Sequence, residues 1–138
     1  MAGVLTADGK HLIAEVISQR THVDRDATLK VGLFTNSSGL SAASVLADIT
    51  VPTGTGYASA TLTDASWVVT LGVAAYPQIT FTGGAGGWTG SVYGYYIYTV
   101  AAGGTARLIA YEIDTAGPET IHQADTYKVT PQLTITQG

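Results

Sequence analysis

Three groups of residues in this 138-residue chain have the types and spacing that chemistry would need. His22, Asp24 and Asp26 alternate, so an extended segment would project all three from one face as metal ligands. No second cluster supplies further ligands, and Arg20 and Arg25 balance the acids. The segment therefore reads as a polar connector, and no metal is expected. Glu112 and Asp114 also share a strand face, roughly 6–7 Å apart by strand geometry, which invites a carboxylate pair for acid–base work. Such a pair in a glycosidase normally comes from elements facing each other across a cleft. Glu112-Ile-Asp-Thr-Ala-Gly reads instead as a strand running out into a solvated turn. His11 and His122 stand alone, and no Gly-x-Ser-x-Gly elbow is present. Gly83-Gly-Ala-Gly-Gly-Trp lacks the Lys-Ser/Thr ending of a phosphate loop and reads as a flexible turn before Trp88. No catalytic residue, cofactor or small-molecule substrate is expected, and the chain is read as a non-enzyme.

Aromatic residues offer a different kind of chemistry. Trp67, Trp88 and Tyr93 could stack on pyranose rings, which keeps a carbohydrate-binding module as an alternative. The segment Val92-Tyr-Gly-Tyr-Tyr-Ile-Tyr-Thr-Val would place Tyr93, Tyr95 and Ile97 on one face and Val92, Tyr96, Tyr98 and Val100 on the other. A strand covered on both faces is central in a sandwich or buried at an interface. Tyrosine suits an interface, because its body is apolar while its hydroxyl tolerates a wet rim. Tyr93, Tyr95 and Trp88 are therefore candidate interface residues, together with Leu12 and Val16 from the N-terminal segment.

That segment differs in kind from the rest of the chain. Leu12, Ile13, Val16 and Ile17 recur with helical spacing, which predicts a short amphipathic helix over residues 9–20 with Asp8 as N-cap. Its apolar stripe needs a partner surface, on its own sandwich or on a neighbour. From Leu29 onward, runs of Val, Ile, Thr, Tyr and Phe alternate with Gly, Pro, Asn and Ser clusters. The predicted strands are Leu29–Thr35, Ala47–Val51, Tyr57–Thr63, Trp67–Thr70, Gln78–Thr82, Val92–Val100, Arg107–Asp114 and Thr126–Thr136. Pro131 cannot donate to a ladder and marks an edge or a bulge. About eight strands at this spacing predict an all-β fold, a jelly-roll-like antiparallel β-sandwich with a short N-terminal helix. The organisation expected is an N-terminal arm over residues 1–28 and a sandwich domain over 29–138.

Composition narrows the partners. Hydrophobic residues make up 46% of the chain and charged ones only 12%, against about 25% charged in a typical soluble domain. Thr, Ser, Gln and 17 Gly take the place of charge, and β-branched Thr suits the wet face of a sheet. Six Lys and Arg in a chain of net charge −4 form no basic stripe, so no nucleic acid partner is expected. The absence of cysteine removes disulfides and thiolate chemistry. The N-terminus has neither a basic start nor an uninterrupted apolar run, so no membrane partner is expected. So little like-charge repulsion favours self-association.

One resemblance covers roughly residues 29–136. The order Leu29-Lys-Val-Gly-Leu-Phe-Thr-Asn, Gly56-Tyr-Ala with Leu62, Trp67, Ile79-Thr-Phe, Val92-Tyr-Gly-Tyr-Tyr-Ile, Leu108-Ile-Ala-Tyr-Glu and Val129-Thr-Pro-Gln-Leu-Thr resembles short structural proteins of tailed bacteriophages. These include capsid decoration (cement) proteins and tail, fibre or adaptor components. The resemblance implies a virion structural protein on the capsid surface, assembled in the host cytoplasm. It also implies a homotrimer, with the major capsid protein as partner. It carries over no catalytic residue.

Overall fold

The computed structural model describes residues 4–18, 28–100 and 105–134. The proposed connector ligands His22, Asp24 and Asp26 lie outside them. In chain order the elements are β1 (Val4–Leu5), α1 (Ala7–Ser18), β2 (Thr28–Phe34), β3 (Thr53–Gly54), β4 (Ala60–Leu62), β5 (Val68–Thr70), β6 (Val73–Ala75), β7 (Ile79–Thr82), β8 (Trp88–Thr89), β9 (Gly94–Val100), β10 (Leu108–Ile113), β11 (Thr126–Val129) and β12 (Gln132–Thr134). All pairings are antiparallel.

The chain is an all-β sandwich. One layer is a five-stranded sheet in the order β1-β10-β9-β2-β4, and the other is assembled from short pieces, β11-β7, β12-β6-β5 and β3-β8. The main core lies between them, where Val31, Leu33, Ile97 and Ile109 of the large sheet meet Phe81, Trp88, Tyr127 and Val129. Alternation dictates what the opposite face of the large sheet must do: Phe34, Tyr96, Leu108 and Tyr111 point away from that core and would be wetted. Leu40, Leu46 and Ile49 of the connection after β2 cover them, so the central strands are dry on both sides.

Several expected elements take another form for identifiable reasons. Residues Ala47–Val51 form no ladder; a 3₁₀ turn occupies Leu46–Asp48. The Asn36 side chain takes the place of a neighbouring strand there, accepting from the Thr50 N–H at 2.7 Å and donating to the Asp48 carbonyl at 2.8 Å. The run Thr126–Thr136, expected as one strand with an edge or bulge at Pro131, is two: at Thr130–Pro131 it leaves β7 and joins β6, because proline brings no donor to continue the ladder. The buried Pro131 carbonyl accepts from the Tyr76 N–H at 2.9 Å instead. The Gly83–Gly87 stretch is tied down rather than flexible. Gly83 and Gly84 donate to the carbonyls of Asp125 and Thr55, and Gly87 donates to Gly84.

The N-terminal segment is woven into the large sheet by a bulge. β10 slips register between Leu108 and Ala110, which frees the Ile109 carbonyl to accept from the Thr6 N–H at 2.9 Å. The buried Thr6 hydroxyl contacts the Leu108 carbonyl at 2.6 Å and accepts from the Gly9 N–H at 3.0 Å. Thr6, not Asp8, is therefore the cap of α1; Asp8 sits in the first turn, where its charge suits the helix N-terminus. A Cβ on Gly9 would run into the Ile109 backbone, so only glycine lets the helix lie this close to β10.

Candidate functional site

The tyrosine strand, expected to be central in a sandwich or buried at an interface, lies chiefly in the interior, and its candidate interface residues go with it. Tyr95 is only 7% exposed and packs in the main core, while Tyr93 lies half-buried on the other face with Phe34, Tyr96 and Tyr98. The expected grouping of Tyr93 with Tyr95 fails because the alternation slips by one residue at Gly94. A Cβ there would collide with the Glu112 carbonyl and meet the Phe34 ring, so glycine permits the approach. Trp88 is 5% exposed, stacks edge-on against Tyr57 at 5.3 Å and donates its indole N–H to the Thr55 carbonyl at 3.3 Å. It is a core residue, neither a partner-facing anchor nor a sugar platform. The side chains of Leu12 and Val16 lie outside the described residues.

Glu112 and Asp114 do come together, on one wall of a cleft of about 310 Å³ shared with Tyr95, Tyr127, Lys128 and Gln132. Tyr95 donates to Glu112 Oε2 and Tyr127 to Asp114 Oδ2, each at 2.8 Å. The remaining Asp114 oxygen accepts from the Ala116 N–H at 2.9 Å, closing an Asx turn. Burial first, and then the bond to its carboxylate, raises each tyrosine above its ordinary value, so both remain protonated donors. The carboxylates are thereby fixed as acceptors that satisfy buried hydroxyls. His122 closes a neighbouring turn through its N–H, which donates to Asp125 Oδ2 at 2.9 Å. Among the described residues, no three His, Cys, Asp or Glu gather as metal ligands.

The most exposed apolar feature lies elsewhere, on the hairpin β5–β6. Its register, Val68 with Ala75, Val69 with Ala74 and Thr70 with Val73, leaves Leu71-Gly72 as a two-residue loop. Both loop residues have positive φ, +50° and +80°, which defines a type I′ turn. Gly72 adopts this freely, but Leu71 occupies a position that favours Asn, Asp or Gly. Leu71 is 99% exposed, and Val68 and Val69 are 65% and 70% exposed. The base, in contrast, is fastened: Trp67 stacks edge-on against Tyr76 at 5.2 Å, and the Thr63 N–H donates to the Tyr76 hydroxyl at 3.1 Å. Bonds from the Thr63 hydroxyl and N–H hold the Tyr76 phenol below its ordinary value. The result is an apolar tip on a fixed stalk.

Trp67-Val-Val-Thr-Leu-Gly-Val-Ala-Ala hid this hairpin in the sequence. Only the strand Trp67–Thr70 was expected, because the loop has none of the usual polar turn residues. The remaining signal is Leu-Gly between Val-Val-Thr and Val-Ala-Ala. Compared with protein-family models, curated proteins and solved structures, the chain matches none.

Proposed function

We propose that this chain is a non-enzymatic virion structural protein of the decoration type, which stabilises a phage shell by bridging coat subunits. The phage assignment follows from the sequence resemblance over residues 29–136. The observation that carries the assembly role is the hairpin tip: Val68, Val69 and Leu71 present apolar surface to solvent from a fastened base. Isolated exposed apolar residues are ordinary, but three on one hairpin, with the one in the turn held in an unfavourable backbone conformation, fit a contact surface. In this reading the mechanism is added buried area across subunit boundaries. A protein that binds the assembled shell and not its separated subunits stabilises the shell by mass action.

The test is to mix the purified protein with mature shells lacking it and measure co-sedimentation. Saturable binding in virion-like salt is expected, with loss of at least tenfold in affinity for Leu71→Asp, since a desolvated apolar contact then receives a charge. Absence of binding by the unaltered protein overturns the capsid role.

A further inference from the structure

The backbone edge of the same hairpin, running through Val68 and Val69 below the Leu71 turn, carries a second feature. Thr70 and Val73 flank the two-residue loop and form the hydrogen-bonded pair that closes it. Antiparallel ladders alternate, so Val69 and Ala74 form the next, non-hydrogen-bonded pair. The Val69 N–H and C=O therefore point away from β6. Among the described residues that side is the outer edge of the sheet, since β5 is the terminal strand in the order β12-β6-β5.

Proteins protect such an edge with Lys, Pro, a bulge or a covering segment. From Trp67 to Gly72 this edge has neither Lys nor Pro, its register with β6 is continuous, and Val68 and Val69 are exposed on its two faces. Charge points to the occupant. Asp64 and Arg107 bracket a stretch without one charged side chain, so two identical edges can meet with no like-charge repulsion. Two-fold symmetry makes the same strand its own complement.

We propose that the outer edge of β5 pairs with the same edge of a second copy of this chain, antiparallel about a two-fold axis centred on Val69. Each Val69 N–H donates to the Val69 carbonyl of the other copy, joining two three-stranded sheets into one of six. The pairing closes on itself, because the opposite side of β5 is already held by β6. A three-residue strand is small beside the roughly 20–30 residues a side of a standard interface. The contact is therefore weak between free molecules and becomes effective when a surface holds copies side by side. The inference rests on the hairpin being an assembly element and names what its flank takes; a two-fold contact also links copies in a way that a three-fold ring alone does not.

A disulfide trap tests this without any shell. The chain contains no cysteine, so Val69→Cys introduces the only thiol. A hydrogen-bonded antiparallel pair places its Cα atoms about 5.5 Å apart, inside the roughly 4.4–6.8 Å span that a disulfide accepts. Ser38→Cys, in an exposed loop, is the reference for random collision. Under mild oxidation Val69→Cys should dimerise on the order of tenfold faster than Ser38→Cys at equal concentration. Adding Val68→Lys should return the rate to the reference, because like charges then flank the axis. Far-UV circular dichroism confirms that each variant is folded, as expected for substitutions at exposed positions. A ratio near one overturns the proposal. Loss of shell binding with the trap intact would instead remove the capsid role and leave this contact standing.

Discussion

Replacing Leu71 with Asn should make the protein more stable and less able to assemble. Leu71 sits at φ +50° and is 99% exposed, so the wild-type residue bears the left-handed strain and gains no burial in return. That conformation costs an L-residue with an ordinary side chain roughly 1–2 kcal/mol, and Asn relieves much of it through local hydrogen bonding. A gain of about 1 kcal/mol is expected. With an unfolding entropy of about 2.1 cal/mol/K per residue over 138 residues, it raises Tm by about 3 °C. Thermal melts followed by circular dichroism measure this directly. Leu71→Ala is the control, since it trims the apolar side chain but keeps the left-handed penalty, and it should leave Tm within about 1 °C of wild type. An unchanged or lowered Tm for Leu71→Asn refutes the strain argument; so does an equal rise for Leu71→Ala. Reduced shell binding alongside the higher Tm would show stability given up for contact at this position.

Three further outcomes concern the interior. Burial raises Tyr95, Tyr96 and Tyr127 above their ordinary value, so their contribution is fully present below the unfolded tyrosine pKa of about 10 and is lost as pH rises beyond it. Tyrosinate absorbance should show these phenols ionising together with loss of the far-UV signal, and free titration of all eight tyrosines in the folded protein would contradict their burial. Thr6→Ala removes the helix cap and its bond to β10, and should cost about 1–2 kcal/mol in denaturant melts, with hydrogen-exchange protection lost first in α1. Gly94→Ala should destabilise by more than the ordinary effect of a surface substitution, about 0.5 kcal/mol, because its methyl group meets the Glu112 carbonyl; a neutral result would place the β9 slip elsewhere.

What the sequence made legible were the features encoded in local pattern. The twofold alternation of Thr126–Val129, the two dry faces of the tyrosine strand and the ladder break at Pro131 arise from side-chain type and period. What stayed hidden depends on partners distant in sequence. Val4–Leu5 is too short to announce itself and becomes a strand only because β10 offers an edge. The placement of Tyr93 turns on one inserted glycine, and a one-residue slip reverses every side chain beyond it. Val73–Ala75 has one β-branched residue beside two alanines, a weak strand signal, and is a strand because β5 and β12 flank it. The hairpin tip escaped notice for a related reason: sequence reading treats apolar residues as interior, and exposure is a property of the assembled fold.

The junction of β1 with β10 bears on the time course of folding. Thr6 bonds across 102 residues of sequence to Leu108, so β1 and the start of α1 can dock only after β10 has been made. Until then the bulged edge of β10 does not exist, and the segment Val4–Ser18 has no sheet to rest on. Closure across so long a stretch of chain raises the contact order, which slows folding. Residues Val4–Ser18 therefore report on one event: their protection in a pulse-labelling experiment marks the moment β1 closes onto β10.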